Sequence, residues 1–211
     1  MQLSTRQIAL AEAFLWAEPL NAATLAPSPS PIYTNWIVLT GGVSSGKTTL
    51  LREFERRGLS VSHEVARALI ERAYQHGLTK DEIFSETQMR QDSIFSHELE
   101  RHSAMDPQRR TILDAGIGDT LGFRSYFGVD NTAAATWGDV YRYKQVFFLD
   151  ALTLRNDSAR PWDAGQAAHI EREIMQAYLR LGYQPIRVPP IGLVSERADW
   201  VLQRVALKNP G

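Results

Sequence analysis

The chain has 211 residues, 44% hydrophobic and 22% charged, with 23 Lys and Arg against 24 Asp and Glu for a formal net charge of −1. That length and apolar share suffice for one domain with a sizeable core, and the near-neutral balance carries no electrostatic footprint for nucleic acid. The sequence contains no cysteine, which excludes disulfides, thiolate catalysis and cysteine-based zinc sites.

Residues 4–18 read as a helix, with Ile8, Ala11, Phe14 and Leu15 near one face and Pro19 as its stop. The run from Ile8 to Ala17 is interrupted by Glu12 and is too short to span a bilayer. No basic region followed by a small-residue cleavage site opens the chain, so no secretory signal and no membrane partner are expected, and the protein reads as cytoplasmic. Alternating Pro and Ser in Ala26-Pro27-Ser28-Pro29-Ser30-Pro31 favour an extended connector. Residues 1–34 are therefore expected as a helix-and-linker appendage, its apolar stripe packing back on the main domain, 35–211.

From Asn35 onward strands alternate with helices, the pattern of a parallel sheet covered on both faces. Strands are expected at 36–40, 59–63, 110–114, 145–149 and 185–188. Helices are expected at 47–57, 65–76, 118–127, 132–143, 164–181 and 195–207. A long polar helix over 79–103 opens with a capping box of Thr79 and Glu82 and is broken by Asp106-Pro107. Between 153 and 163 lies an irregular polar stretch. The fold class that follows is α/β, a three-layer sandwich with a mainly parallel five-stranded sheet, and the motif at Gly41–Thr48 makes it one of P-loop NTPase type.

Gly41 through Thr48 satisfies G-x-x-x-x-G-K-[ST], placed between an apolar strand and a helix as the motif requires. Gly41, Gly42 and Gly46 let the backbone bend around an anion. The N–H groups of Gly41, Gly42, Val43, Ser44, Ser45, Gly46, Lys47, Thr48 and Thr49 then form the expected phosphate cradle. Lys47 is expected on the β- and γ-phosphates and the Thr48 hydroxyl on Mg²⁺. The implied cofactors are ATP and Mg²⁺.

In an open parallel sheet, function collects at the carboxyl ends of the strands. Glu64, Asp114 and Asp150 fall there, as does Pro189-Pro190. Both 111–114 and 147–150 have the form of a strand ending in a metal-side carboxylate, and the pattern alone does not choose between Asp114 and Asp150. The five histidines show no metal-ligand spacing, so no transition metal is expected.

The order of motifs resembles the small P-loop ATPase/kinase family of "AAA domain" type, similar to the nicotinamide riboside kinase domain. It rests on Gly41 to Leu50, Arg57-Gly58, His63-Glu64-Val65-Ala66-Arg67, Leu113-Asp114-Ala115-Gly116-Ile117-Gly118-Asp119-Thr120, Phe148-Leu149-Asp150, the stretch Arg155 to Arg160 with Pro161-Trp162, Leu181-Gly182-Tyr183, Val188-Pro189 and Glu196-Arg197. The resemblance implies Glu64 as acceptor-facing general base, Arg67 as a substrate- or phosphate-facing cation and Asp114 as the carboxylate on the metal side. It also places Asp119 on the substrate side, although that residue could equally cap the helix after it, and Arg155 and Arg160 on a segment closing over the phosphates, with Arg160 catalytic. Ala115 departs from the family, which usually carries Arg there. The activity implied is ATP–Mg-dependent phosphotransfer to an unidentified small-molecule acceptor, with a homo-oligomer possible. The alternative is an ATP hydrolase or nucleotide-gated switch acting on a protein partner. A GTPase is disfavoured, because no Asn-Lys-x-Asp motif occurs.

Overall fold

The computed structural model describes residues 12, 14, 30–42, 45–85, 87–152 and 162–207. In chain order the described elements are β1 (Ile32–Tyr33), β2 (Trp36–Gly41), α1 (Lys47–Arg56), β3 (Val61–Ser62), α2 (Val65–Gln75), α3 (Lys80–Ser85) and α4 (Thr87–Ala104). Then follow β4 (Thr111–Asp114), α5 (Ile117–Tyr126), α6 (Thr132–Gly138), β5 (Tyr141–Arg142), β6 (Gln145–Leu149), α7 (Ala164–Arg180), β7 (Ile186–Val188) and α8 (Val194–Leu207). Five strands form a wholly parallel sheet in the order β3-β4-β2-β6-β7. The fold is the expected three-layer α/β sandwich of P-loop proteins.

Side chains alternate across a strand, and β2 shows how this divides the core. Trp36 and Val38 point to one face, where Leu113, Val146 and Phe148 join Phe95, Leu99, Leu121, Ile170 and Ile174 from α4, α5 and α7. Ile37 and Leu39 point to the other, with Ile112, Phe147 and Leu149 against Leu50, Leu51 and Phe54 of α1 and Ala198 and Val201 of α8. Because β2 and β6 are buried on both faces, they read as nearly continuous apolar runs in the sequence.

Three elements differ from the expectation. The helix expected over 79–103 is divided into α3 and α4. The capping box forms, with Thr79 N donating to Glu82 Oε2 at 2.8 Å. At the end of α3, however, side chains from α4 take the free carbonyls: Arg90 NH1 reaches Ile83 O at 2.7 Å and Thr87 Oγ1 reaches Phe84 O at 3.1 Å. The helix expected over 132–143 stops at Gly138, since Tyr141 and Arg142 pair in parallel with Ile32 and Tyr33. That two-stranded sheet, too short for any periodicity, also ties residues 32–33 to the main body on the near side of the expected boundary. Of the expected helix over 4–18, only Glu12 and Phe14 are described, both helical. Phe14 is fully buried against Leu69, Ala73, Leu78 and Ile83. Among the described residues no helix is long and apolar enough to cross a membrane.

Helix α5 packs tightly on α7. A Cβ at Gly122 would lie 2.6 Å from Ile174 Cα and 2.7 Å from its backbone N, atoms that cannot yield without moving α7. Gly122→Ala is therefore expected to destabilise the fold by about 1–3 kcal/mol. In a chain of this size that lowers the thermal midpoint by about 2–12 °C, readable by calorimetry. An unchanged midpoint would show that α7 can shift freely.

Candidate active site

The P-loop begins where β2 ends. Gly41 has φ 136°, and a Cβ there would collide with the Leu149 carbonyl of the adjacent strand, so this position needs glycine. Gly46, with φ 81°, is the N-cap of α1, which turns the unpaired N–H groups of the first turn toward the loop. Lys47 Nζ donates to Gly41 O at 2.7 Å and Gly42 O at 3.4 Å, so its ammonium lies across the loop it is meant to serve. Arg197 of α8, 3% exposed, braces the loop from behind: NH1 donates to Ser45 O at 2.6 Å, and NH2 to Val188 O at 3.0 Å and Asp150 O at 3.1 Å.

Beside Lys47 stand three carboxyl groups. Asp119, on the first turn of α5, is fully occupied by the protein. It accepts from Thr40 Oγ1 at 2.6 Å, Tyr178 OH at 2.6 Å and Gly116 N at 3.0 Å. This caps α5 and pins it to β2 and α7. Asp119 lines the cavity as expected, but its oxygens are committed to the protein's own donors. Asp114 closes β4, in register with Leu39 of β2. Its Oδ1 is buried without a hydrogen-bond partner, and burial pushes its pKa up against the opposing pull of Lys47. Glu64 is the N-cap of α2. Desolvation, followed by repulsion from Asp114, pushes its carboxyl up to about 7, with Lys47 opposing.

The turn after Asp114 is unusual. Ala115 has φ 67°, a left-handed conformation that costs a side-chain-bearing residue about 1–2 kcal/mol. Its carbonyl accepts from Arg101 NH2 at 3.2 Å, while Arg101 NH1 donates to His63 O at 2.7 Å. One guanidinium thus ties together the segments that follow β3 and β4. Arg101 also pairs with buried Glu98, whose carboxyl burial pushes up to about 7 despite that partner.

Two cavities meet at this point. One, about 410 Å³, is lined by Gly41, Gly42, Ser45, Gly46, Lys47, Thr48, Thr49 and Arg67. The other, about 330 Å³, runs under α2, α3 and α4 along Val65, Ile70, Phe84, Ile94 and Phe127. Glu64, Asp119, Phe123 and Trp162 line both.

Most of the residues expected at the site are thus brought together. Arg67 NH2 reaches Thr48 Oγ1 at 3.2 Å. Asp150 Oδ1 is taken by Arg187, with Nε at 2.7 Å and NH2 at 2.5 Å, whereas Asp114 Oδ1 is buried with no hydrogen-bond partner. Val43, Ser44, Arg155 and Arg160 lie outside the described residues. Thr40, Tyr178, Arg101 and Glu98 were not singled out from the sequence. Thr40, the one hydroxyl in an apolar strand, offered a signal; the others did not. Arg197 appeared in the sequence only as part of a quoted motif.

Mg²⁺ typically takes one or two protein oxygens together with phosphates and waters, and the unpartnered Asp114 Oδ1 and the Thr48 hydroxyl are oxygens of the kind it takes. Among the described residues no group of three His, Asp or Glu would hold a metal unaided.

The site sits on a widely shared scaffold. The deoxyadenosine kinase from M. mycoides superposes with TM-score 0.56 at 13% identity, covering 82% of this chain and all of that one. NadR protein in complex with NR superposes at 0.58 and 16%, covering 84% of this chain and 51% of the NadR chain. Shikimate kinase from Acinetobacter baumannii superposes at 0.50 and 15%, covering 90% of this chain and all of that one. No curated protein sequence matches the chain. Residues 36–197 match the profile of a family described as AAA domain. With its P-loop, parallel sheet and strand-end carboxylates inside that span, the chain belongs to this AAA domain family.

Proposed function

We propose that this protein transfers the terminal phosphoryl group of ATP to a hydroxyl of a small acceptor. One observation carries the reading: a P-loop cavity and a largely apolar second cavity lie side by side and share Glu64 and Asp119 in their walls. A hydrolase that needs only water has no use for the second space, so the geometry favours a kinase over the ATPase alternative.

In this reading the P-loop N–H groups and Lys47 hold the β- and γ-phosphates, while the acceptor lies under α2 and α3. Glu64, at the junction, takes the acceptor's proton as the new P–O bond forms and the bond to ADP breaks. A pKa about 7 suits a base working near neutrality. Thr48 and Asp114 would hold Mg²⁺, which when bound neutralises phosphate charge as it spreads over the oxygens. Arg67, close to Thr48, adds positive charge on the outer side. Arg155 and Arg160 are kept as candidate phosphate-facing cations on the family resemblance alone. Thr40, Asp119 and Tyr178 position the machinery by fixing α5 against β2 and α7.

The test is a coupled assay of ADP release over a panel of hydroxyl-bearing metabolites. At least one acceptor is expected to stimulate ADP release well above the rate with water. ATP binding without stimulation by any nucleoside, vitamin or polyol would refute the proposal.

A further inference from the structure

The wall of the second cavity holds a charge that the described residues leave incompletely satisfied. Arg90, on α4, is 1% exposed. Its NH1 donates to Ile83 O at 2.7 Å, and its guanidinium carbon lies 4.7 Å over the Phe84 ring and 5.0 Å over that of Phe127. NH2 is buried with no hydrogen-bond partner, and no ion pair to Arg90 occurs among the described residues. A buried guanidinium without a carboxylate is costly, and desolvation lowers its pKa to about 10. The chain tolerates this cost at a position that faces a cavity.

The surroundings indicate what would satisfy the charge. Phe84 meets the Trp162 ring edge-on and Phe127 meets it tilted, with centroids 6.1 Å and 5.8 Å away, which lines the slot beside Arg90 with an aromatic wall against which a flat ring can pack. Gln91, next to Arg90 and 3% exposed, lines the same cavity and brings an amide with both donors and an acceptor. An aromatic slot could also attract a cation. Here the faces of Phe84 and Phe127 are already taken by Arg90, whose charge repels a second one.

We infer that the acceptor is a flat-ring compound, neutral or anionic, whose ring carbonyl or carboxylate oxygen is bound by Arg90 NH2, and that Arg90 excludes positively charged rings. The hydroxyl that reaches Glu64 rests on the phosphotransfer reading. The ring, the oxygen and the charge rule rest on Arg90 and the aromatic slot alone.

The experiment is calorimetric titration of the full chain without ATP, using probes that share a ribose-like polyol. Uridine and guanosine carry neutral rings with a carbonyl, N-ribosylpyridinium carries a cationic ring without one, and ribitol has no ring. At least one carbonyl-bearing ring is expected to bind, and at least about tenfold more tightly than the other two. Arg90→Met is expected to weaken that binding by about 10- to 100-fold and to leave ATP affinity unchanged, whereas an arginine that only holds Ile83 O would leave the preference for the carbonyl-bearing ring intact in the folded variant. Should Arg90→Met fail to fold, Arg90→Lys keeps the charge and a donor for Ile83 O, and a loss of about tenfold is expected. Failure of both carbonyl rings to bind, preference for the pyridinium, or undiminished binding by the folded variant would overturn the inference. Ring binding without any ADP release would refute phosphotransfer alone. Acceptor-stimulated ADP release indifferent to Arg90 would refute this inference alone.

Discussion

Lys47→Ala is expected to lower the rate of phosphoryl transfer by about 10²–10³-fold and to weaken ATP binding at the same time. Two effects act together. The ammonium is no longer available to the β- and γ-phosphates, where it is needed most as charge spreads over the oxygens being transferred. Lys47 also holds down the pKa values of Glu64, Asp114 and Asp119, so its loss leaves Glu64 more protonated at neutral pH. Lys47→Arg keeps the charge but is expected to recover little, because the amine fits between the Gly41 and Gly42 carbonyls, only 2.7 and 3.4 Å away. ADP release and a nucleotide titration on the same variant measure the two losses. Unchanged ATP affinity would show that the loop at 41–48 does not hold the nucleotide.

Glu64→Gln is expected to lower kcat by about 10²–10⁴-fold, the usual contribution of a general base, with ATP affinity little changed. The pH dependence has a definite sign. Burial raises the Glu64 pKa from its ordinary carboxylate value to about 7, so the basic form accumulates as pH rises through that value. Below it kcat/KM should climb about tenfold per pH unit, and the glutamine variant should lose that limb. Stability runs the other way. The folded chain holds this proton more tightly than the unfolded one, so the stability contributed by the neutral carboxyl is fully present below the unfolded pKa of 4.5 and is lost as pH rises to about 7. Glu64→Gln should therefore be more stable than the parent at pH 8 and not at pH 4, as denaturant unfolding at the two pH values would show. A variant slow at every pH but without that stability gain would make Glu64 a positioning group and not the base.

The parts of this molecule written in periodicity were legible in its sequence. Strands β2 and β6 are buried on both faces and appear as apolar runs, and the glycines at 41 and 46 stand where the backbone takes positive φ. The strand-end rule then pointed to Glu64 and Asp114, which the fold sets within electrostatic reach of Lys47, without knowing what surrounds them. The division of α3 from α4 was not legible, because it depends on Arg90 and Thr87 reaching back to carbonyls of the preceding helix. Nor was the occupation of Asp119, whose donors Thr40 and Tyr178 lie 79 and 59 residues away along the chain. Arg101 offers the same lesson. It secures the Ala115 carbonyl, and no local pattern joins 101 to 115. Contacts between distant residues decide which carboxylate is spent on the fold and which is left for chemistry.

The most direct measurement is phosphorus NMR of the protein with ATP, Mg²⁺ and an acceptor selected by the ADP-release panel. The account predicts that loss of the γ-phosphate resonance is matched by a new phosphomonoester resonance on the acceptor, with little inorganic phosphate. Inorganic phosphate as the only product, formed at a rate indifferent to the acceptor, would contradict it.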